Sequence, residues 1–390
     1  MSRKYRLKVE NDHEALCTLN KWFGCVRKTY NWALQTIKEN PNTYTLTRNK
    51  LREHFVTEKA IPEDKKYLLE CPKHVRDGAL DDLVAAYKAN FTVKKKNPGH
   101  VFDIQYRSRK KEAAITIPYD AIKTIVYGED GVGKKTMYPT RLKNALKLQI
   151  RKRDCRLGKR LQTIEFDCKL LKDRLGRFYL VVPGHKETSS KALDNQEGHQ
   201  GDRWVALDPG CRTFQTAYSP REGELVKFGD RDASRLFRLC LHMDNLPEKK
   251  KKTKERLKLR IKHLVDEVHW KTIRYLLDHY DNVVIPIFEV KNMVKKVDRK
   301  ITKRTVRNLL SWRHYTFRMR LMEKARQEGK NVFVVGEEYT TKTCSGCFNL
   351  HPNVGGAKVF HCPHCGLKMD RDALGSRNIF LKNISVTESF

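Results

Sequence analysis

VFVVGEEYTTKTCSGC (332–347) and HCPHCGLKMDRDALGSRNIF (361–380) frame the segment whose reading decides the fold. The apolar run Val332 to Val335 has the texture of a buried strand and delivers Glu337 at its carboxyl end. Two Cys-x-x-Cys pairs follow, Cys344 with Cys347 and Cys362 with Cys365. A two-residue gap lets both thiolates of a pair turn toward one tetrahedral Zn2+, while the intervening loop closes the cage. Gly346 and Gly366 suit the tight turns. His351, His361 and His364 lie nearby, but four cysteines already complete a tetrahedron. A closed four-cysteine site builds structure and does no chemistry, so the chemical question passes to the flanking acids. Beyond the second pair, Asp370 and Asp372 open a helical pattern.

Working outward, RWVALDPG (203–210) reads as a buried strand ending in Asp208 and turned by Pro209 and Gly210. TFQTAYS (213–219) and ELVKFG (224–229) continue as two strands in hairpin order. A long basic helix, led by EKKKKTKERLKLRIKHL (248–264), runs on through Leu277, and NVVIPIFEV (282–290) is a further strand. One helix is expected over about residues 311–327. Strands alternating with helices predict an α/β sheet whose carboxyl strand ends gather functional groups. Asp208 and Glu337 stand just past such ends, and Asp372 arrives from a helix start. Three carboxylates from three elements, with no His or Ser partner in the motifs, suit two Mg2+ ions about 4 Å apart. Such a pair activates water and steadies the leaving oxygen of a phosphodiester.

Composition points to the same substrate. Across 390 residues, 80 Lys and Arg stand against 46 Asp and Glu, a formal charge of +34 that exceeds what solubility needs and suits a polyanion. Nucleic acid is the expected partner. The charge is spread along the chain instead of along one amphipathic helix, which argues against a membrane surface. No apolar stretch is long enough to span a bilayer, and MSRKYRLKVENDHEAL at the start lacks the apolar core of a signal peptide. The seven remaining cysteines show no paired spacing, so a reducing intracellular compartment is expected. The run Lys249 to Lys252, with Lys254 and Arg256, has the composition of a nuclear import signal and equally that of a solvated helix start or an RNA-backbone contact.

Nearer the start, Lys4 to Val9 alternates as a short strand would. Leu16, Leu19, Trp22, Phe23, Val26, Tyr30, Ala33 and Leu34 then mark one amphipathic helix, and further helices are expected after Thr47 and over Val75 to Phe91. From Val101 to about Pro183 the texture changes to short alternating runs, FDIQYRS, AAITIP, LKLQI, TIEFDCKL and FYLVVP, which predict an antiparallel, barrel-like β domain. Asp173 to Gly176 reads as a hairpin turn between two of its strands. GEDGVGKKT (128–136) mimics a phosphate-binding loop, but Lys135 stands where Ser or Thr would hold magnesium, so a solvated basic loop is expected. Residues 185–202 read as a polar linker.

The ordered set WVALDPG, VVIPIFEVKNM, EEYTTKTCSGC, CPHCG and DRDALGSRNI resembles the RuvC-like nuclease of transposon-encoded TnpB proteins and their eukaryotic and viral relatives, the Fanzor proteins. The resemblance covers nearly the whole chain, and HPNVGGAKVFHC is more similar to the Fanzor branch. It implies a multidomain α/β protein: an RNase H-like (RuvC) nuclease domain over 203–390 with an inserted zinc ribbon at about 340–368, a β-barrel wedge domain over 98–184 with residues 1–10 as its first strand, and a small helical recognition module over 11–97. It also implies an RNA-guided DNA endonuclease, monomeric and nuclear in a eukaryotic host. Its partners would be a guide RNA of the omega-RNA type and target duplex DNA with a short adjacent motif. Asp208, Glu337 and Asp372 would hold two catalytic Mg2+ ions, and Cys344, Cys347, Cys362 and Cys365 a structural Zn2+. Two positions depart from the family pattern: Leu374 replaces the usual Asn two residues after the last aspartate, and Pro286 aligns with the usual second-motif glutamate. Glu289 lies three residues on, while a subset of the family places the glutamate as Glu337 stands here. The competing function is a catalytically silent RNA-guided or plain DNA-binding protein, such as a transposon-derived repressor. The intact acids favour the nuclease.

Overall fold

The computed structural model describes residues 3–8, 13–109, 111–126, 133–142, 147–149, 164–183, 203–221, 223–295, 301–336, 338–351 and 357–383. They belong to two units, Met1–Lys186 and Glu187–Phe390. Among the described residues no helix is long and apolar enough to cross a membrane.

In the first unit β1 (Arg3–Lys8) precedes α1 (His13–Glu39), whose three-and-four stripe of Leu19, Trp22, Phe23, Val26, Tyr30, Ala33 and Leu34 is buried. Then come α2 (Arg48–Phe55), a 3-10 turn over Glu63–Glu70, and α3 (Lys73–Lys96). The last helix runs through its lysines and stops at Asn97, which is extended because a proline follows. β2 (Ala113–Ile117), β3 (Ile122–Val126), β4 (Gly133–Met137), β5 (Lys147–Gln149), β6 (Cys168–Lys172) and β7 (Phe178–Val182) complete the unit. One sheet has the order β2-β6-β7-β1-β5, antiparallel at every pairing, and β3 with β4 forms a separate hairpin. Among the described residues no pairing joins β2 to β5. Helices and sheet share one core, in which Trp22, Leu34, Phe55, Leu80, Ile115, Leu170 and Leu180 meet.

The turn at Asp173 forms as expected: its carboxylate accepts the amides of Leu175 and Arg177, both at 2.9 Å, and Gly176 takes φ +78°. Two other expectations fail. FDIQYRS (102–108) forms no strand; the Asn31 side chain donates to the Arg107 carbonyl (3.0 Å) and accepts its amide (2.8 Å), which satisfies that backbone without a ladder. The basic end of GEDGVGKKT is not a loop, since Gly133 to Thr136 lie on β4 and pair with β3. The linker over 185–202 lies outside the described residues.

The second unit opens with β8 (Trp204–Pro209), β9 (Gln215–Tyr218) and β10 (Leu225–Phe228), followed by α4 (Asp232–Asp244), α5 (Lys251–His279) and β11 (Asn282–Pro286). Next are α6 (Val290–Met293), α7 (Lys303–Trp312), α8 (His314–Glu328), β12 (Asn331–Val335), the short strands β13 (Val359–His361) and β14 (Lys368–Asp370), and α9 (Arg371–Lys382). The sheet order is β10-β9-β8-β11-β12: the first three strands are an antiparallel meander, and β8, β11 and β12 run parallel. This is the topology of the expected RNase H-like domain. Alternation along each strand divides two cores. Val205, Leu207, Val283 and Ile285 face the cluster with Ile273, Leu277, Trp312 and Phe317, whereas Ala206, Val284 and Val335 pack with Ile379 of α9.

Three sequence expectations need correction here. α4, polar enough to escape notice, precedes the long basic helix. The helix expected over 311–327 is two helices, broken at Arg313, which takes the left-handed conformation (φ 54°, ψ 48°). The break leaves the Trp312 carbonyl to accept from the buried His269 ring nitrogen at 2.8 Å, and Asp266 receives both Arg313 (3.2 Å) and Arg320 (2.7 Å). Finally, a proline inside a strand pattern suggests an edge or bulged strand, and Pro286 does not mark an edge. β11 lies inside the sheet, but its pairing with β8 ends at Val284, so the missing N–H of Pro286 breaks no ladder bond there.

Candidate functional site

Asp208 is the last polar residue of β8 and shares the face of Ala206, two residues before it. Across the meander it stands opposite Thr216, and Thr216 opposite Lys227, so the three form a row on one face of the sheet. α9 packs over this face. Its Gly375 is as close as a backbone can come: a Cβ there would lie 2.5 Å from Asp208 Oδ2. Asp372 is three residues before Gly375 on the same side of the helix, so the turn that carries Asp372 rests on the Asp208 carboxylate.

Electrostatics separate the two acids at the start of α9. Asp370 is the N-cap, accepting the amides of Asp372 (2.9 Å) and Ala373 (3.2 Å), and Lys227 pairs with it at 2.7 Å. Against partial burial, these contacts hold the Asp370 carboxyl below the usual range. Burial, reinforced by the Asp370 charge, pushes Asp372 the other way, above its usual range. Beside them Thr216 Oγ1 is buried without a hydrogen-bond partner.

The sulfur cage is assembled next to the same helix. Cys344, Cys347, Cys362 and Cys365 place their sulfurs within 4.8 Å of one another, with Cys344–Cys365 at 3.5 Å and Cys347–Cys362 at 3.6 Å. Sulfurs bound to one zinc at about 2.3 Å stand about 3.8 Å apart, so the donor set fits structural zinc. The Asn349 amide, with help from neighbouring thiols, pulls the Cys347 thiol down to about 6, toward the thiolate that a metal needs. His351 lies 3.4 Å from Cys362 as a neighbour of the cage, outside the four-cysteine cluster. Leu374 of α9 is fully buried against Cys344, Phe360 and Cys362, and Asn378 donates to the carbonyls of Thr340 and Thr343, both at 2.7 Å. Cage and helix are therefore one packed object.

The family described as "Cas12f1-like, TNB domain" matches residues 314–379, and a "Helix-turn-helix domain" family matches residues 1–43. The A625R protein of Paramecium bursaria Chlorella virus 1, which carries a transposase name, is 27% identical over 98% of this chain and 87% of its own length. The TnpB-like protein L79 of Acanthamoeba polyphaga mimivirus is 26% identical over 52% of this chain and 40% of its own. The chain is thus similar to viral transposase proteins over nearly its whole length and to TnpB-like proteins over about half of it. The CRISPR-associated endodeoxyribonuclease Cas12f1 of Sulfoacidibacillus thermotolerans is 27% identical over 54% of this chain and 52% of its own. In fold, the chain is similar to a Cas12f1-sgRNA-target DNA complex at TM-score 0.50 and 13% identity, covering 95% of this chain and 82% of that one.

Asp208 and the Asp372 turn come together, and Glu337 lies outside the described residues. Pro286 falls by alternation on the Asp208 face, where it offers no donor. Glu289 is exposed and accepts from Asn292, while Glu338 is exposed and pairs with Lys382 at 2.6 Å. Leu374, the second departure from the family pattern, is a packing residue of the ribbon. Lys227, Gly375 and Asn378 escaped the sequence reading. DRDALGSRN held a faint signal for Gly375, since a glycine inside a helix at a cost of about 1 kcal/mol asks for a close approach.

Proposed function

We propose that this protein is an RNA-guided DNA endonuclease that cleaves phosphodiesters at a RuvC-like carboxylate site formed by Asp208, Glu337 and Asp372. The observation that carries this reading is the contact of α9 on Asp208 at Gly375, one helical turn beyond Asp372. Glu337 follows the apolar run Val332 to Val335 by two residues in the sequence, the position that a subset of the resembled family gives its glutamate. The donors are hard oxygens and suit Mg2+, and Thr216 Oγ1 adds an unpartnered buried polar atom beside them. Two bound Mg2+ ions would supply an activated water and neutralise charge on the leaving oxygen. Asp208 and Asp372 would hold them. Lys227 fixes Asp370 as a cap, which sets the direction of the first helical turn and of Asp372 with it.

The reading extends to partners. The +34 charge and the likeness in fold to a complex of guide RNA and target DNA support an RNA guide and a DNA target, and the family resemblance adds a short adjacent motif and monomeric action. The antiparallel sheet of the first unit would serve as the wedge and α1 to α3 as the recognition module. Lys249 to Lys252, exposed at the start of α5, would address the protein to a nucleus.

The test is magnesium-dependent cleavage of a guide-matched duplex by protein purified with the RNA it binds in cells. Asp208→Ala, Glu337→Ala and Asp372→Ala are expected to lose cleavage by at least about a thousandfold with binding intact. Glu289→Ala and Glu338→Ala keep it. An active Glu337→Ala beside a dead Glu289→Ala would overturn the third assignment, and an inactive wild type with full guide and target binding would favour the silent binder.

A further inference from the structure

On the first unit, α1 and the 3-10 turn Glu63–Glu70 border a cavity of about 360 Å³, a size typical of small-ligand sites. Trp32, Tyr67 and Tyr106 line it together with Lys28, Lys65 and Gln35. Tyr67 and Tyr106 are 40% and 48% exposed, a large apolar area for one small region. The walls are built: Trp32 stands edge-on against Phe55 with ring centroids 5.0 Å apart, and Asn31 clamps the backbone at Arg107, beside Tyr106. Each ring has a cation above it. Lys28 Nζ lies 4.0 Å from the Tyr67 centroid, Lys65 Nζ 5.3 Å from Trp32 and Lys38 Nζ 5.2 Å from Tyr106.

Those cations decide the ligand's chemistry. An aromatic cage for a quaternary ammonium leaves its ring faces to the guest's own charge, whereas here lysines hold the faces. The cavity therefore suits a guest that is flat, aromatic and anionic, which a nucleotide is: the base offers a π face to the rings and the phosphate an anion to the lysines. Lys65 is paired with Asp64 at 2.6 Å, and Lys38 with Asp103 at 3.4 Å. Lys28 has no carboxylate within ion-pair distance among the described residues, which leaves its charge for a phosphate. Gln35 donates to Glu39 at 2.8 Å and keeps its carbonyl oxygen as an acceptor for a base edge.

We propose that this cavity captures one unstacked nucleotide of a nucleic-acid strand, its base against Tyr67 and Tyr106 and its phosphate on Lys28. The proposal rests on the nucleic-acid reading of the charge and is separate from the carboxylate site. On binding, Lys28 leaves the Tyr67 face and follows the phosphate.

The test uses the full chain, stripped of copurified nucleic acid in high salt. It is titrated with three probes: a short single-stranded RNA carrying 4-thiouridine, the DNA of the same sequence carrying 4-thiothymidine, and AMP. Irradiation is expected to cross-link a strand to peptides containing Trp32, Tyr67 or Tyr106. Tyr67→Ala should weaken strand binding about tenfold with an unchanged salt slope, as loss of a base stack does, and Tyr67→Phe should bind as wild type. Lys28→Ala should lower the salt slope by about one phosphate. The tighter of the RNA and DNA arms identifies the strand, and AMP binding as tight as either strand overturns the assignment to a strand. If wild type binds with a steep salt slope, cross-links map elsewhere, and Tyr67→Ala and Tyr106→Ala match it, the cavity proposal falls while the nucleic-acid reading stands. If wild type binds no strand at low salt, both fall together.

Discussion

The sulfur cage and the proposed carboxylate edge meet on α9, and they are built in opposite ways. The sulfur cage draws its donors from two short pairs, and the backbone turns that link each pair already bring the sulfurs together. The carboxylate edge collects Asp208 from the first strand of the sheet and Asp372 from the last helix, and only the sheet order and the approach at Gly375 join them. Local spacing makes the cage robust to the rest of the fold. The edge depends on everything between its donors, the cage included, because Leu374 and Asn378 tie α9 to the residues around Cys344. Damage should therefore travel from cage to edge and not back.

The largest effect expected from that asymmetry is in Cys362→Ser. Structural zinc in small zinc domains contributes about 10–16 kcal/mol, so its loss should unfold the ribbon, release α9 and remove cleavage. Zinc content by mass spectrometry beside a cleavage assay checks it, with Asp208→Ala as the reverse case, dead but fully zinc-loaded. Full zinc and wild-type cleavage in Cys362→Ser would break the comparison. Next in size is Gly375→Ala, which keeps every donor and improves helix propensity, yet brings a methyl to 2.5 Å from Asp208 Oδ2. A displaced carboxylate of this kind should slow single-turnover cleavage about a hundredfold at unchanged zinc content. Cleavage at the wild-type rate would show that Asp208 does not work where it stands.

A smaller effect separates the neighbouring acids. Asp370→Ala removes a cap and should cost about 1 kcal/mol of stability, read by denaturant unfolding, while cleavage stays within about tenfold of wild type. If it is as dead as Asp372→Ala, Asp370 is a ligand and the edge has a different membership. Lys227→Met should cost less, since partly exposed pairs contribute about 0–1 kcal/mol. The smallest effect has the opposite sign. Because the folded-state pKa of Asp372 is raised, its neutral form suits the fold, and its ionisation destabilises the magnesium-free protein. The penalty is absent below the ordinary carboxylate pKa, sets in as pH rises and is complete above the raised folded value. Asp372→Asn should therefore raise the Tm of zinc-loaded, magnesium-free protein at neutral pH, though not in acid, while abolishing cleavage. A Tm below wild type at both pH values would sink this account.

Much of this was legible before any coordinates. The Cys-x-x-Cys pairs, the strand ending in Asp208, the helix opening at Asp370 and the stripe of α1 all follow from short-range periodicity and spacing, which survive in a linear string. What escaped depended on partners far away in the chain. FDIQYRS has strand texture, yet Asn31 takes the backbone bonds of Arg107; the helix expected over 311–327 breaks at Arg313, where the freed Trp312 carbonyl accepts from the distant His269.

By itself, then, the sequence determined a zinc ribbon, a basic protein made for a polyanion, and an α/β region whose acids stand at strand ends. Only the tertiary structure decided that Asp208, Thr216 and Lys227 form one row, that Gly375 lets α9 rest on Asp208, and that Leu374 fills the ribbon where the family pattern has Asn. The reason is physical: a turn of two residues constrains its own ends, but a contact between a strand and a helix well over a hundred residues later is set by the order of strands and by which side chains leave room between them.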